Sequence, residues 1–270
     1  MVVVEKYFIF FQSFGSNFRS FNILKYNLLL NIMDCISILI PTFNRKKFLP
    51  LIIRNILNQT YPHDKLELVI DDDADKSSEK LLDKENLEKL KVVLHPIKIK
   101  YIDNKPKRSI GKKRDDLIKS ASHKIVVFMD DDDLYFPSYI QYSYETLKKE
   151  KVGCVGSNKM LFTMSDDDFK TYKIDCGDKK HLIHEATLMM TKKFYRASCG
   201  FADSSQGEGN NIFYGMERNV FITDILMIMC CIQHSGNTID KLQFQKEELK
   251  IDLTIQDEIK DFLNNILKIK

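Results

Sequence analysis

The chain of 270 residues is 44% hydrophobic and 29% charged, with 10 glycines and 6 prolines. That composition supplies a packed core and excludes collagen-like and Pro/Gly-rich disordered chains. Forty-one basic residues against 38 acidic leave a net charge of +3, which gives no support for a nucleic-acid binder, whose footprint is a concentrated basic face.

Residues 1–34 are apolar and aromatic, carrying Phe8, Phe10, Phe11, Phe14, Phe18 and Phe21 ahead of Leu28, Leu29 and Leu30. Gln12, Ser13, Asn17, Arg19 and Asn22 interrupt them, so no run approaches the ~20 residues of a membrane span. Three readings stay open: a weak membrane-surface anchor, a helix packed on the domain, or a mis-called start with Met33 as the first residue. In each, the segment is an appendage without chemistry.

From Cys35 the pattern sharpens. Residues 36–40 form a short β-branched run ended by Pro41 and read as a buried strand. Residues 46–59 carry Phe48, Leu51, Ile52 and Ile56 at helical spacing, and Tyr61-Pro62 ends that helix. Residues 66–70 are a second strand running into Asp71, Asp72 and Asp73. Residues 76–90 read as a charged helix, 92–102 as extended sequence broken at Pro96, and 114–120 as a helix. Residues 124–129 are the clearest buried strand, and Asp130, Asp131, Asp132 and Asp133 follow it. Strands alternating with helices predict an α/β domain with a mostly parallel sheet. At the C-terminus, Ile255, Ile259, Phe262, Leu263, Ile266 and Leu267 fall on one helical face, with Thr254 as N-cap. Three regions follow: the appendage 1–34, a domain 35–240 and a helical extension 241–270.

Six cysteines (Cys35, Cys154, Cys176, Cys199, Cys230, Cys231) show no CxxC pair. They read as buried free thiols in a reducing compartment, and no zinc-ligand spacing is present. The expected location is the cytoplasm or the cytoplasmic face of a membrane.

Carboxylates at the ends of two buried strands carry the functional signal. In open α/β sheets ligands bind outside the carboxyl ends of the strands, so both acidic runs should meet at one crevice. Crowded carboxylates raise one another's pKa unless a cation compensates, and hard Mg²⁺ or Mn²⁺ suits oxygen ligands and phosphates. The triplet Asp166, Asp167 and Asp168, in a polar stretch, reads instead as a solvated loop. Between the two acidic runs, Lys105, Lys107, Arg108, Lys112, Lys113 and Arg114 form a basic run suited to a diphosphate.

These residues resemble a known family. Ser37-Ile-Leu-Ile-Pro-Thr-Phe-Asn-Arg45 is similar to the first strand and loop of GT-A-fold glycosyltransferases, family 2 above all. Val69-Ile-Asp-Asp72 resembles its second-strand acidic pair, and Gly111-Lys-Lys-Arg-Asp115 its Gly-x-x-Arg-Asn segment. The sequence from Phe128 to Pro137 resembles its Asp-x-Asp motif, and His234-Ser-Gly-Asn-Thr238 its terminal His-Gly-Asn-Thr segment. Gly207-Glu-Gly209 stands where a Glu-Asp pair is usual. The resemblance covers roughly residues 36–240.

The resemblance implies a GT-A-type (Rossmann-like), mostly parallel sheet flanked by helices, and metal-dependent transfer from a nucleotide-diphospho-sugar, UDP-sugar favoured. The acceptor would be a glycan, protein or lipid hydroxyl, and the outcome inversion. Base and ribose would sit near Thr42, Asn44 and Arg45, with Asp71 or Asp72 accepting from the base. Arg114 offers a planar, permanently charged donor for the base or the diphosphate. Asp130 and Asp132, alternating along an extended backbone, would point the same way. Asp132 and His234 are assigned to Mn²⁺ or Mg²⁺, and Asp130 with Asp131 to the ribose or a metal-bound water. Glu208 is the expected base, with Asp203 or Glu217 in reserve because Gly209 takes the usual aspartate's place. His184 and Glu185 are acceptor-side, where residues 155–215 would shape the site. Two alternatives remain: a GT-A scaffold that binds without turnover, suggested by Gly209, and a haloacid-dehalogenase-type phosphatase. The second is disfavoured because Leu134 replaces the usual Thr or Val and the motif lies deep in the chain.

Overall fold

The computed structural model describes residues 33–103, 106–177, 179–234, 237, 246, 249–253 and 255–267. The segment 1–32, Lys105, Thr254 and three residues of the terminal motif (Ser235, Gly236, Thr238) lie outside the described residues. The chain divides into two units, Met1–Asp34 and Cys35–Lys270, and every element named here belongs to the second.

The described strands are β1 (Ile36–Thr42), β2 (Leu66–Asp72), β3 (Lys98–Ile102), β4 (Ile125–Phe128), β5 (Leu134–Tyr135), β6 (Cys154–Gly156), β7 (Lys159–Met164), β8 (Lys170–Asp175), β9 (Met189–Thr191), β10 (Val220–Ile222) and β11 (Met229–Gln233). Seven of them make the main sheet in the order β10-β6-β9-β4-β1-β2-β3. Its pairs are parallel except that β9 runs antiparallel to β4 and β6. Every residue of β1 and β2 is buried, as apolar strands must be when both sheet faces are covered. Leu117 and Ile118 of the helix Ile110–Ser120 complete one core with Leu39, Val69, Val126, Phe128 and Met190.

The chain runs outward from β1 through β2 to β3, then returns on the other side of β1 as β4. The strand order reverses there, and the crevice beyond the carboxyl ends of β1 and β4 is where such sheets hold ligands. A second sheet, β5-β11-β7-β8, stands beside it and carries the residues before His234. The helix Asp257–Leu267 buries Leu263 and Leu267 and packs Ile259, Phe262 and Ile266 against Phe48, Leu51, Leu134 and Ile232.

Several boundaries differ from expectation. β1 continues through Pro41 to Thr42, because beyond Leu39 it pairs only with β2 and a missing N–H is tolerated where one neighbour is absent. Residues 46–59 become a 3₁₀ turn, Lys46–Phe48, and then a helix, Leu49–Leu57, with Pro50 in its first turn. The helix expected at 76–90 is Lys84–Val93, started by Asp83, whose carboxylate accepts from Asn86 N. The helix expected at 114–120 begins at Ile110, capped by Ser109. Of the six cysteines Cys154, Cys230 and Cys231 are buried as expected, whereas Cys35 and Cys176 are half-buried and Cys199 is exposed. Among the described residues no helix is long and apolar enough to cross a membrane.

Candidate active site

A cavity of about 570 Å³ opens at the carboxyl ends of β1 and β4. Pro41, Thr42 and Phe43 form one wall, the aspartates after β4 the floor, and residues from 158–160, 182–185 and 205–210 the facing wall. The helix Ile110–Ser120 presents Lys113 and Arg114 to it.

The aspartates after β4 leave the extended strand, with Asp131 and Asp132 in a turn, so strand alternation does not set the directions of Asp130 and Asp132, though both line the cavity. Tyr135 closes this turn, its hydroxyl accepting from Asp130 N at 2.7 Å and donating to Ala186 O at 3.1 Å. The carboxylates fan out to separate partners. Arg114 Nη2 reaches Asp130 at 3.1 and 3.3 Å. Thr42 Oγ1 donates to Asp131 Oδ2 at 2.5 Å, bridging the end of β1 to the loop after β4. Asp132 Oδ2 meets Arg45 Nη2 at 3.2 Å, His234 Nε2 at 3.2 Å and Asn237 Nδ2 at 3.5 Å. Asp133 Oδ1 accepts from Ile232 N at 3.2 Å and ties the turn to β11.

The acids after β2 serve the scaffold. Asp71 and Asp72 are fully buried and do not line the cavity. Arg108 Nη2 donates to Asp71 at 2.5 Å, and its other arm holds Asp116 at 2.6 Å. Asp72 accepts from Ala74 N at 3.0 Å, Leu81 N at 2.7 Å and the Tyr101 hydroxyl at 2.6 Å; burial, with Asp72 beside it, pushes that hydroxyl's pKa up. Lys113 pairs with Asp73 and donates to Thr42 O at 2.7 Å. Arg108 and Lys113, expected to cradle a diphosphate, therefore neutralise the β2 acids. Lys107 stacks on Phe43 at 4.1 Å. Asn44 is a turn residue, with φ 55° and Oδ1 accepting from Asp75 N at 3.3 Å, a conformation asparagine tolerates better than most.

On the facing wall, Arg114 Nε donates to Glu208 Oε1 at 3.2 Å, while Arg114 Nη1 is buried and has no hydrogen-bond partner among the described residues. The guanidinium stacks on Phe128 at 5.0 Å. Burial alone would lower its pKa, but Asp130, Glu208 and Glu185 outweigh that and raise it. His184 lines the cavity, and Glu185 beside it accepts from Gly209 N at 2.9 Å. The reserve bases stand apart. Asp203 accepts from the capping Ser109 hydroxyl at 2.5 Å on the surface, Glu217 from Gly215 N at 3.3 Å, and neither lines the cavity. Asp168 is likewise outside it, in an exposed pair with Lys260.

Asp130, Asp131, Asp132, Asp133, Glu185 and Glu208 outnumber the lining cations Arg45, Lys113, Arg114 and Lys159. Burial first, and the Asp132 charge next for Asp131, push Asp131 well above the usual carboxylate range; burial raises Asp130 against the opposing Arg114. Such a site favours a cation. Among the described residues no three His, Cys, Asp or Glu side chains are grouped to hold one. Asp132 Oδ2 and His234 Nε2, however, lie 3.2 Å apart, close to the ~3 Å edge of an octahedron with ~2.1 Å bonds. Two protein donors suffice for ions that keep waters and substrate phosphates as their other ligands.

The sheet order, the crevice at its reversal and the fanned aspartates define a GT-A-type scaffold. Residues 37–213, more than half of the chain, match the family described as Glycosyl transferase family 2, and the chain belongs to that family. The matched span ends before His234. A curated relative, the UDP-Glc:alpha-D-GlcNAc-diphosphoundecaprenol beta-1,3-glucosyltransferase WfgD of Escherichia coli, is 23% identical over 123 residues, 46% of this chain and 45% of its own. This chain thus spans less than half the length of that relative. TarS 1-349 from S. aureus, solved with UDP-GlcNAc, superposes with a TM-score of 0.57 at 12% identity, over 75% of this chain and 60% of that one. The mannosyltransferase PcManGT from Pyrobaculum calidifontis, solved with GDP-Man and Mn²⁺, gives 0.55 at 16%, over 78% and 64%. Likeness at these identities carries the fold.

Proposed function

We propose that the chain transfers a sugar from a nucleotide-diphospho-sugar, UDP-sugar favoured, to an acceptor hydroxyl, with inversion at the anomeric carbon. The observation that carries this reading is the group at the β1–β4 reversal: Thr42 joined to Asp131, and Arg45 and His234 converging on Asp132. The nucleoside lies along Pro41, Thr42 and Phe43, with Asp130 and Asp131 as acceptors for ribose hydroxyls. Arg45, a permanent cation, faces the diphosphate. Asp132 and His234 are the residues that would hold Mn²⁺ or Mg²⁺, which when bound neutralises charge on the leaving diphosphate.

The acceptor enters along the facing wall, past His184 and Asn158. Its class is a glycan, protein or lipid-borne hydroxyl; the lipid-linked sugar named for the Escherichia coli relative favours the last. An acceptor of that kind suits the cytoplasm or a cytoplasmic membrane face.

A thermal-shift panel of UDP, GDP, UDP-glucose, UDP-GlcNAc and GDP-mannose, each with and without Mn²⁺, tests the donor site. A ligand at 100 times its Kd stabilises by about 2.7 kcal/mol, or roughly 5–10 °C in a domain of this size. The expected result is such a shift with one nucleotide series, larger with Mn²⁺ and reduced in Asp132→Ala. No shift with any of the ten conditions contradicts the proposal.

A further inference from the structure

Glycine at position 209 has no conformational cause. Its φ of −76° and ψ of −15° are ordinary right-handed values open to any residue. Its cause is space: a Cβ there would lie 2.5 Å from Glu185 Oε1, 2.8 Å from Cγ and 2.9 Å from Cδ. The Glu185 carboxylate fills the volume a side chain at 209 would take, and accepts the Gly209 N–H that a larger residue would crowd.

Two carboxylates then stand on the acceptor wall with unequal engagements. Glu208 is held by Arg114 at 3.2 Å. Glu185, among the described residues, forms no ion pair, and it lines the cavity. The groups that act on it are Glu208 and Arg114: burial first, then the Glu208 charge, raises its pKa against the opposing Arg114. Its turn, Glu185–Thr187, is fixed from several sides. Tyr135 donates to Ala186 O at 3.1 Å, and Thr187 Oγ1 donates to His184 O at 2.6 Å while accepting from Ser157 N at 2.8 Å. A carboxylate held this way is positioned before substrate arrives.

Resting on the transfer reading above, we propose that Glu185 is the catalytic base and that Glu208 with Arg114 is its positioning partner. The acceptor oxygen donates a lone pair to the anomeric carbon as the bond from that carbon to the diphosphate oxygen breaks. The bonding pair leaves with the diphosphate, and the hydroxyl proton passes to Glu185, which later returns it to water. Gly209 is the counterpart of this assignment: the base is delivered from the turn before β9, and position 209 stays empty to admit it.

The test uses the full chain with Mn²⁺ and whichever of UDP-glucose, UDP-GlcNAc or GDP-mannose it hydrolyses, reading nucleotide-diphosphate release with water as acceptor. Glu185→Gln lowers turnover ~10²–10⁴-fold while its thermal shift with the free nucleotide diphosphate stays at the wild-type value. Added azide, a nucleophile with no proton to lose, restores release and yields the glycosyl azide. Gly209→Asp alone loses activity through overlap with Glu185, whereas Glu185→Ala with Gly209→Asp together regains ~10-fold or more over Glu185→Ala by returning a carboxylate to the same volume. Turnover of Glu185→Gln within ~3-fold of wild type, or loss that azide and the double change both fail to relieve while nucleotide binding persists, overturns the assignment. Wild-type chain that binds the nucleotide yet releases none from any of the three sugars overturns the base and leaves the donor site standing. Chain that binds no nucleotide removes both.

Discussion

Replacing Arg114 with methionine keeps the stem that packs beside Phe128 and removes the charge. Asp130 and Glu208 then lose a guanidinium they now hold at 3.1 and 3.2 Å, in a position 2% exposed. Breaking one side of a buried pair costs about 3–5 kcal/mol, because the remaining charge stays buried and uncompensated. In a domain of this size that is a Tm loss of roughly 6–20 °C. The deficit should depend on pH. Burial already holds Asp130 and Glu185 above the usual carboxylate range, and loss of the cation raises both further. A carboxylate with a raised folded-state pKa favours folding below its unfolded pKa and loses that contribution as pH rises through the folded value. The variant is therefore closest to wild type near about pH 5 and farthest near about pH 8. Urea unfolding followed by circular dichroism at both pH values, with the slope unchanged, measures it. A deficit below about 1 kcal/mol, or one equal at both pH values, would contradict a buried charge left uncompensated.

Three further outcomes are expected. Glu67 accepts from Ser37 Oγ at 2.6 Å, Ser122 N at 2.8 Å and Ser122 Oγ at 2.6 Å, so Glu67→Ala should cost about 2–3 kcal/mol by orphaning them, read by urea midpoint. Those bonds outweigh burial and lower its pKa, so this contribution is present above the unfolded pKa and is lost as pH falls through the folded one. A Cβ at Gly111 would overlap the Ala202 carbonyl oxygen, so Gly111→Ala should lower Tm and loosen the 202–208 loop, visible as faster proteolysis there; an unchanged Tm would contradict the packing. Turnover should fall as pH drops through an ionisation raised above the ordinary glutamate range by burial and by the Glu208 charge against the opposing Arg114, and Glu185→Asp should move that limb while Asp203→Asn leaves it.

The sheet was legible because its central strands are unbroken apolar runs, which only burial on both faces explains. Residues 36–40, 66–70 and 124–129 lie in β1, β2 and β4, in adjacent places. Starts of helices were less legible: Asp83 and Ser109 are caps whose partners, three residues on, sit in charged sequence without periodicity. The acidic runs looked alike as sequence and differ in the fold. Asp71 and Asp73 face Arg108 and Lys113, some 37 to 40 residues on, so their charges are spent inside the scaffold. After β4 the chain turns, so the spacing argument from an extended strand did not apply. Glu185 was read only as acceptor-side, since its relation to Gly209 joins positions 24 residues apart. The gap in the Gly-Glu-Gly stretch was the one visible trace of it.

The chain is expected to transfer sugar at the β1–β4 crevice with inversion at the anomeric carbon. Proton NMR of the chain with Mn²⁺ and an α-linked nucleotide sugar reads this directly, through the anomeric proton of the sugar first released. The expected result is the β-anomer appearing before mutarotation, together with free nucleotide diphosphate, and neither in Asp132→Ala. The α-anomer appearing first would contradict inversion, and an intact donor across UDP-glucose, UDP-GlcNAc and GDP-mannose would contradict transfer itself.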